Sequence, residues 1–313
     1  MTAPAACVVC ASNRVERVAG PAARWVYRRC DSCGHMWLHP TPTTAELAAY
    51  YNGAYTVPRE RYVQRARDAY PSVRGQLAIA GARTGSMLEV GCSYGEMLAG
   101  FQRDGWAVTG VELDARACAE AGARLGARVH CGTLDDFHPD RGTQFDIVTA
   151  FHVLEHVVQP AAFARRALAL LRPGGVLMLK TPNAASVAAR AAAGWWEWAA
   201  PPEHVNLFSP ASLRSMLASA GATDVVISSR RGDANGLLFE LARSTAKRLA
   251  GRPAGGGSYG PGETPVSHRA WYRAVRRADA VLGAPLDLLM ASGSSGDRQL
   301  GAELTVMARQ GNR

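Results

Sequence analysis

Three groups of residues in this chain have the types and spacing that chemistry needs. The run "AFHVLEHVVQP" sets His152, Glu155 and His156 in an H-x-x-E-H pattern. Alone, that spacing suggests an inverted zinc-protease motif, with two imidazoles on a metal and the carboxylate as general base. Two C-x-x-C units, Cys7/Cys10 and Cys30/Cys33, supply four thiolates that can close one tetrahedral site. Such a site has no position open for a substrate, so zinc held there is expected to be structural. His35 and His39 lie nearby as spare donors and are not needed as ligands. In "LEVGCSYGEM", Glu89 is followed by Gly91 and Gly95. Glycine lets backbone approach a ligand closely, and the start of the next helix favours a carboxylate or phosphate. Ser93 holds the middle position, so the run is not a dinucleotide G-x-G-x-x-G.

The elements around these groups follow a regular alternation. "SMLEVG", "AVTGVEL", "ARVHCG", "FDIVTAF", "VLMLKTPN" and "ATDVVISS" read as strands. Between them, "EMLAGFQRDG", "DARACAEAGARLG", "PAAFARRALALLRPGG" and "SPASLRSMLASAG" read as helices, the third closed by its glycines. Strands separated by helices of this length predict an α/β fold with a doubly wound parallel sheet. Ligands in such sheets bind at the carboxyl ends of the strands, and Glu112 at the end of the second is placed to accept hydrogen bonds from ribose hydroxyls.

Ahead of the sheet, residues 1–45 form a small zinc-binding module and 46–84 a helical connector or lid. Thr44 is the expected N-cap of its first helix, and residues 59–82 read as a second. The core is expected over 85–232, a helical insertion over 233–298 with "GRPAGGGSYGPGETP" between two helix-like stretches, and a last strand in 299–313.

This framework answers the question raised by H-x-x-E-H. Zincin-type ligation needs both histidines on one face of a continuous helix. "FDIVTAF" reads as a strand, so His152 ends it and a helix can begin only afterwards. Glu155 and His156 are expected mainly to pack and hydrogen-bond at that helix start.

The motifs "LEVGCSYG", "GVELD", "GTLDDF", "FDIVTAFHVLEHV", "LLRPGGVLMLKTPN" and "PEHVNLFSPASL" occur in order. Together they resemble the class I S-adenosylmethionine-dependent methyltransferases over roughly residues 85–232 and the last strand. The resemblance implies a seven-stranded Rossmann-like sheet and S-adenosylmethionine as cofactor. It implies that Gly91 and Gly95 hold the methionine part and Glu112 the ribose. Leu134 (backbone) and Asp135 (side chain) would take the adenine, with Phe151 and His152 lining the pocket near the sulfonium. Glu89 joins this cofactor set. "VLEHV" is also similar to ubiquinone-biosynthesis O-methyltransferases, some of which use acidic and His residues there with a divalent metal. His152 stands where those have an acid, which counts against a metal here.

Methyl transfer is in-line displacement at a sulfonium carbon, for which the protein supplies alignment, dryness and, where needed, a base. The candidate bases are His204, His152 and His156, since imidazole titrates near neutral pH. His204 follows the fifth strand, where acceptor-facing loops gather. Trp195, Trp196 and Trp198 in "GWWEW" are core packing or an aromatic lid, and Tyr50, Tyr51 and Tyr55 could cover the cofactor. The four-cysteine module before such a core resembles bacterial sugar and natural-product methyltransferases. The expected acceptor is a small hydroxylated molecule (a sugar, nucleotide-linked sugar or natural-product intermediate) and the expected reaction O-methylation, with C- or N-methylation open.

The charge of +9 comes almost wholly from arginine, with Lys180 and Lys247 the only lysines. The arginines are scattered among alanines rather than clustered with aromatics, which speaks against a nucleic-acid surface, and an RNA methyltransferase with a zinc module stays as the alternative reading. The start "MTAPAACVVC" lacks the pattern of a signal peptide, and the most apolar window is broken by Arg190, Gly194 and Glu197. With an odd count of seven cysteines, a reducing cytoplasm and no membrane are expected. The oligomeric state is not legible.

Overall fold

The computed structural model describes residues 6–20, 24–53, 58–126, 129–230, 237–249 and 301–311. The Gly/Pro-rich stretch and the second helix-like stretch of the expected insertion lie outside the described residues.

Two sheets organise the chain. In the smaller one, β1 (Val15–Arg17), β2 (Val26–Cys30) and β3 (Met36–His39) form an antiparallel meander. Two helices follow, α1 (Thr44–Gly53) and α2 (Arg59–Ile79). The N-cap is Thr43 rather than Thr44. Its hydroxyl accepts from Glu46 N at 3.2 Å while the Glu46 carboxylate accepts from Thr43 N at 2.8 Å, a reciprocal capping box.

The larger sheet contains all seven expected strands. In chain order they are β4 (Ser86–Val90), β5 (Ala107–Glu112), β6 (Val129–Cys131), β7 (Phe145–Phe151) and β8 (Leu171–Pro182), then β10 (Ala222–Arg230) and β11 (Glu303–Gln310). Their spatial order is β10-β11-β8-β7-β4-β5-β6. The five strands from β8 to β6 are parallel, while β11 lies antiparallel between β8 and β10. β4 and β7 lie side by side, so the strand order reverses there, the place where open α/β sheets bind ligands.

Helices α3 (Glu96–Arg103), α4 (Ala115–Leu125), α5 (Pro160–Ala169) and α7 (Pro210–Ser219) cover the sheet. Asp114 caps α4 through Ala117 N at 2.7 Å, and Gly126 closes it with φ +72. α5 ends at Ala169 and not at the glycines. "RPGG" lies instead inside β8, where the pairing with β7 slips between Phe145 and Ile147. Two apolar layers result, one centred on Leu88, Val148, Leu177 and Val306 and the other on Met87, Leu98, Ile147 and Met178.

The N-terminal strands are tied to the segment after β8. β9 (Asn206–Leu207) pairs with β3 and completes a four-stranded sheet. Beneath it, Trp196 is fully buried with Val18, Tyr27 and Leu38, beside α6 (Val187–Ala192). Helix α8 (Leu237–Leu249) packs on α6 and matches the first helix-like stretch expected in the insertion. Among the described residues no helix is long and apolar enough to cross a membrane.

Candidate active site

The turn after β4 winds through three positive φ values, +76 at Gly91, +49 at Ser93 and +72 at Gly95. A Cβ at Gly91 would meet Val153 Cγ2 at 2.5 Å, so glycine is required there by space as well as by φ. Ser93 takes a left-handed conformation that glycine would adopt freely. Its amide donates to Glu112 Oε2 at 2.8 Å, while Glu112 Oε1 accepts from Leu113 N and Asp114 N at 2.8 and 2.9 Å. Glu112 therefore joins the ends of β4 and β5.

Glu89 lies behind this turn, 4% exposed, and its Oε2 has no hydrogen-bond partner. Burial, and then the charge of Glu112, push its carboxyl up to about 8. Leu134 is buried and Asp135 exposed, whereas the adjoining Asp136 is taken up by Thr133. Phe151 is half-buried with the Lys180 ammonium 5.6 Å from its ring centre.

His152 follows β7 directly, with φ +54. Its Nδ1 lies 3.1 Å from Glu155 and its Nε2 3.0 Å from Glu303 at the start of β11. Burial opposes a charge on the ring, but the two carboxylates outweigh it and raise His152 to about 10. At neutral pH it is an imidazolium, already protonated and unsuited to accept a proton. Glu155 is fully buried and accepts from Thr181 Oγ1 at 3.0 Å; burial pushes its carboxyl up, but the hydrogen bond and charge of His152 outweigh it and lower it to about 2.

His156 ends the one-turn 3-10 segment Leu154–His156. Its Nδ1 is 2.9 Å from Glu203 O and 3.0 Å from the Tyr51 hydroxyl. His204 is 6% exposed, with Nδ1 2.7 Å from Trp198 O. Burial, reinforced by His204, lowers His156 to about 4, and burial lowers His204 as well. The rings of His156 and His204 meet edge-on at 4.8 Å, and Trp198 stacks between His204 and His152 at 5.7 Å from each. Among the aromatics weighed above, Trp196 is core, Trp198 is the ring inside the site, and Tyr55 lies outside the described residues.

The N-terminal sheet fixes this second group. Tyr27 donates to His204 O at 2.6 Å, Leu38 N to Val205 O at 2.9 Å, and Asn206 bridges His35 Nε2 and Val157 O at 3.0 and 2.6 Å. Ser209 caps α7 and donates to Cys33 O. Cys7, Cys10, Cys30 and Cys33 gather their sulfurs within 4.8 Å, with Cys7–Cys33 at 3.7 Å and Cys10–Cys30 at 3.6 Å. Thiolates at zinc-bond length on a tetrahedron stand about 3.8 Å apart, so this cluster fits such an ion.

The zinc-protease arrangement does not form, because His152 and His156 face different partners. Sequence reasoning missed Glu303 and Tyr27 in the site. Glu303 carries one weak signal, an acid opening an otherwise apolar strand. Tyr27 carries none.

A sheet in this strand order, with a glycine turn after its first strand and a carboxylate closing its second, is the framework of an α/β enzyme that binds a nucleoside-containing cofactor. The family described as "Methyltransferase domain" matches residues 61–226. The chain belongs to that family, and it is an S-adenosylmethionine-dependent methyltransferase. It is 31% identical over 193 residues to a ubiquinone biosynthesis O-methyltransferase of Xanthomonas euvesicatoria pv. vesicatoria (strain 85-10), covering 58% of this chain and 75% of that one. Among solved structures it is similar to an amino pentose methyltransferase of Micromonospora echinaspora, at 29% identity and TM-score 0.34, over 40% of this chain and 56% of that one. A protein of Galdieria sulphuraria described as a sarcosine dimethylglycine methyltransferase is 12% identical, at TM-score 0.49, over 78% of this chain and 86% of that one.

Proposed function

We propose that the chain moves the methyl group of S-adenosylmethionine to a hydroxyl oxygen of a small acceptor, a sugar, nucleotide-linked sugar or natural-product intermediate. The observation that carries the cofactor placement is the orphaned carboxylate oxygen of Glu89, buried beside the Gly91 turn and Glu112. A buried carboxyl left without a partner favours a ligand that supplies N–H groups and positive charge, which would also draw its proton off, and S-adenosylmethionine brings both. Gly91 and Gly95 hold its methionine part, Glu112 its ribose, and Leu134 and Asp135 its adenine. Phe151 and His152 flank the reacting end. When bound, the cofactor supplies a methyl carbon activated by its sulfonium.

The chain's own task is alignment and proton handling. His156 and His204 are neutral imidazoles at the acceptor end, and His204 receives the acceptor's proton. His152, as a fixed imidazolium, positions Trp198 and Glu155 instead. The relative from Xanthomonas, named as an O-methyltransferase, supports oxygen as the atom methylated. The four cysteines hold a structural zinc that locks β2 and β3, and through them the His204 segment. Such a thiolate site persists where thiols stay reduced, which supports a cytoplasmic place of action.

Calorimetry with S-adenosylhomocysteine tests the cofactor placement. Glu112→Ala is expected to weaken binding at least tenfold, since charge-assisted hydrogen bonds contribute about 1.5–3 kcal/mol. Unchanged affinity would remove Glu112 from the site.

A further inference from the structure

The loop that carries His204 begins at Trp198. Just before it, Trp196 is fully buried in the core and Glu197 accepts from Arg243 of α8 at 2.6 Å. These two residues anchor the loop, so its attachment to the fold does not depend on the half-buried Trp198 ring. That ring stacks instead on two imidazoles, on His152 at 5.7 Å and 12° and on His204 at 5.7 Å and 13°. We propose that Trp198 is a positioning residue for methyl transfer, its indole holding the His204 imidazole in the orientation from which it takes the acceptor's proton. The proposal rests on the reading of His204 as the acceptor-side base.

Trp198 reaches His204 through its backbone and through its ring. Its carbonyl accepts from Ala200 N at 2.9 Å and lies 2.7 Å from His204 Nδ1, while His204 N donates to Ala200 O at 3.0 Å. A carbonyl oxygen can only accept, so Nδ1 carries the proton and, in the neutral ring, Nε2 is the atom able to take another. One hydrogen bond fixes an atom and still lets the ring swing about it. The near-parallel indole removes that freedom, because an imidazole that swings loses its stacking contact.

The other end of the stack is rigid. His152 is gripped at both nitrogens, by Glu155 and by Glu303. A cationic ring stacked on an indole is also attracted by the indole's π-electrons. The imidazolium that cannot serve as base therefore helps to hold, through Trp198, the imidazole that can. The remaining groups around His204 are His156, edge-on at 4.8 Å, Glu155, whose charge favours protonation of His204, and Tyr27, whose hydroxyl donates to the His204 carbonyl. The His152 charge opposes protonation, and burial, to which the indole adds, opposes it most.

NMR of the full chain with 15N-labelled histidine tests the proposal without an acceptor, the His204 signals being those lost in His204→Ala. In the unsubstituted chain His204 should hold the Nδ1–H tautomer and titrate below its ordinary 6.5. In Trp198→Ala the ring is loosened and wetted. The Nδ1–H population should fall and the titration should rise toward 6.5, because less burial penalises the charged form less. Trp198→Phe keeps a ring to stack on and should restore both. S-adenosylhomocysteine should bind Trp198→Ala as tightly as the unsubstituted chain, which shows that the variant is folded. A His204 unchanged in Trp198→Ala overturns the proposal, as does a phenylalanine variant no better than the alanine one. Lost cofactor affinity in Trp198→Ala overturns it too, since the ring would then support the whole site and not His204. If the ring loosens as expected while His204→Ala keeps full turnover, the base reading fails and only the stacking contact stands.

Discussion

At one side of the switch point, Glu89, Gly91, Gly95 and Glu112 come from a single stretch of 24 residues, two adjacent strand–turn units. At the other side, His152, Glu155, His156, Trp198, His204 and Glu303 converge from β7, the loop after β8 and the last strand. The first group is held mostly by backbone amides on carboxylates and by glycine conformations. The second is held by an ion pair at its centre and by ring nitrogens placed on backbone carbonyls from distant segments. Local construction makes the first group tolerant, because each contact is remade whenever its turn forms. Convergent construction makes the second exacting, because each partner depends on a distant segment arriving in place.

The largest expected effect breaks the convergent side. Glu155→Gln leaves the His152 imidazolium facing Glu303 alone and an amide in a fully buried slot. Removing one partner of a buried pair costs about 3–5 kcal/mol, read as a fall in the urea midpoint. A loss below about 1 kcal/mol would mean that the pair is not formed.

A pH effect tests the local side. Glu89 titrates near 8 in the folded chain, against an ordinary 4.5. Between these values the folded state holds a proton that the unfolded state has released. Stability therefore falls as pH rises through that window, and levels off above it. The loss is on the order of a few kcal/mol, and Glu89→Gln should flatten the profile. Urea unfolding from pH 5 to 8 in both proteins checks this.

Next in size, His204→Ala should lower turnover by about 10²-fold while S-adenosylhomocysteine affinity stays within a factor of two or so, the mirror image of Glu112→Ala. Equal losses in turnover and cofactor affinity would erase the division between the two sides. The smallest effect lies outside both. Thr43→Ala should cost about 1 kcal/mol by removing the capping box of α1, with cofactor binding intact.

The strand–helix alternation, the glycine turn, Glu112 and the paired cysteines were legible in the sequence because each depends on neighbours a few residues away. Spacing alone separates a helix from a strand, and a C-x-x-C pair already sets two sulfurs at ligand distance. One local feature misled. The glycines of "RPGG" suggested a helix end, whereas they form an irregularity inside β8.

Which histidine does what was decided only by tertiary structure. His152, His156 and His204 are chemically the same residue, and the sequence ranks them only by position. In the fold, two carboxylates hold His152 well above its ordinary value, while burial pulls His156 and His204 below theirs. Glu303 reaches His152 only because the last strand enters the sheet beside β8, 151 residues further along the chain. His204 likewise depends on an N-terminal strand that closes over its segment. The charge of a titratable group is set by what lies within a few ångströms of it, and for these three residues the chain path alone brings those neighbours in.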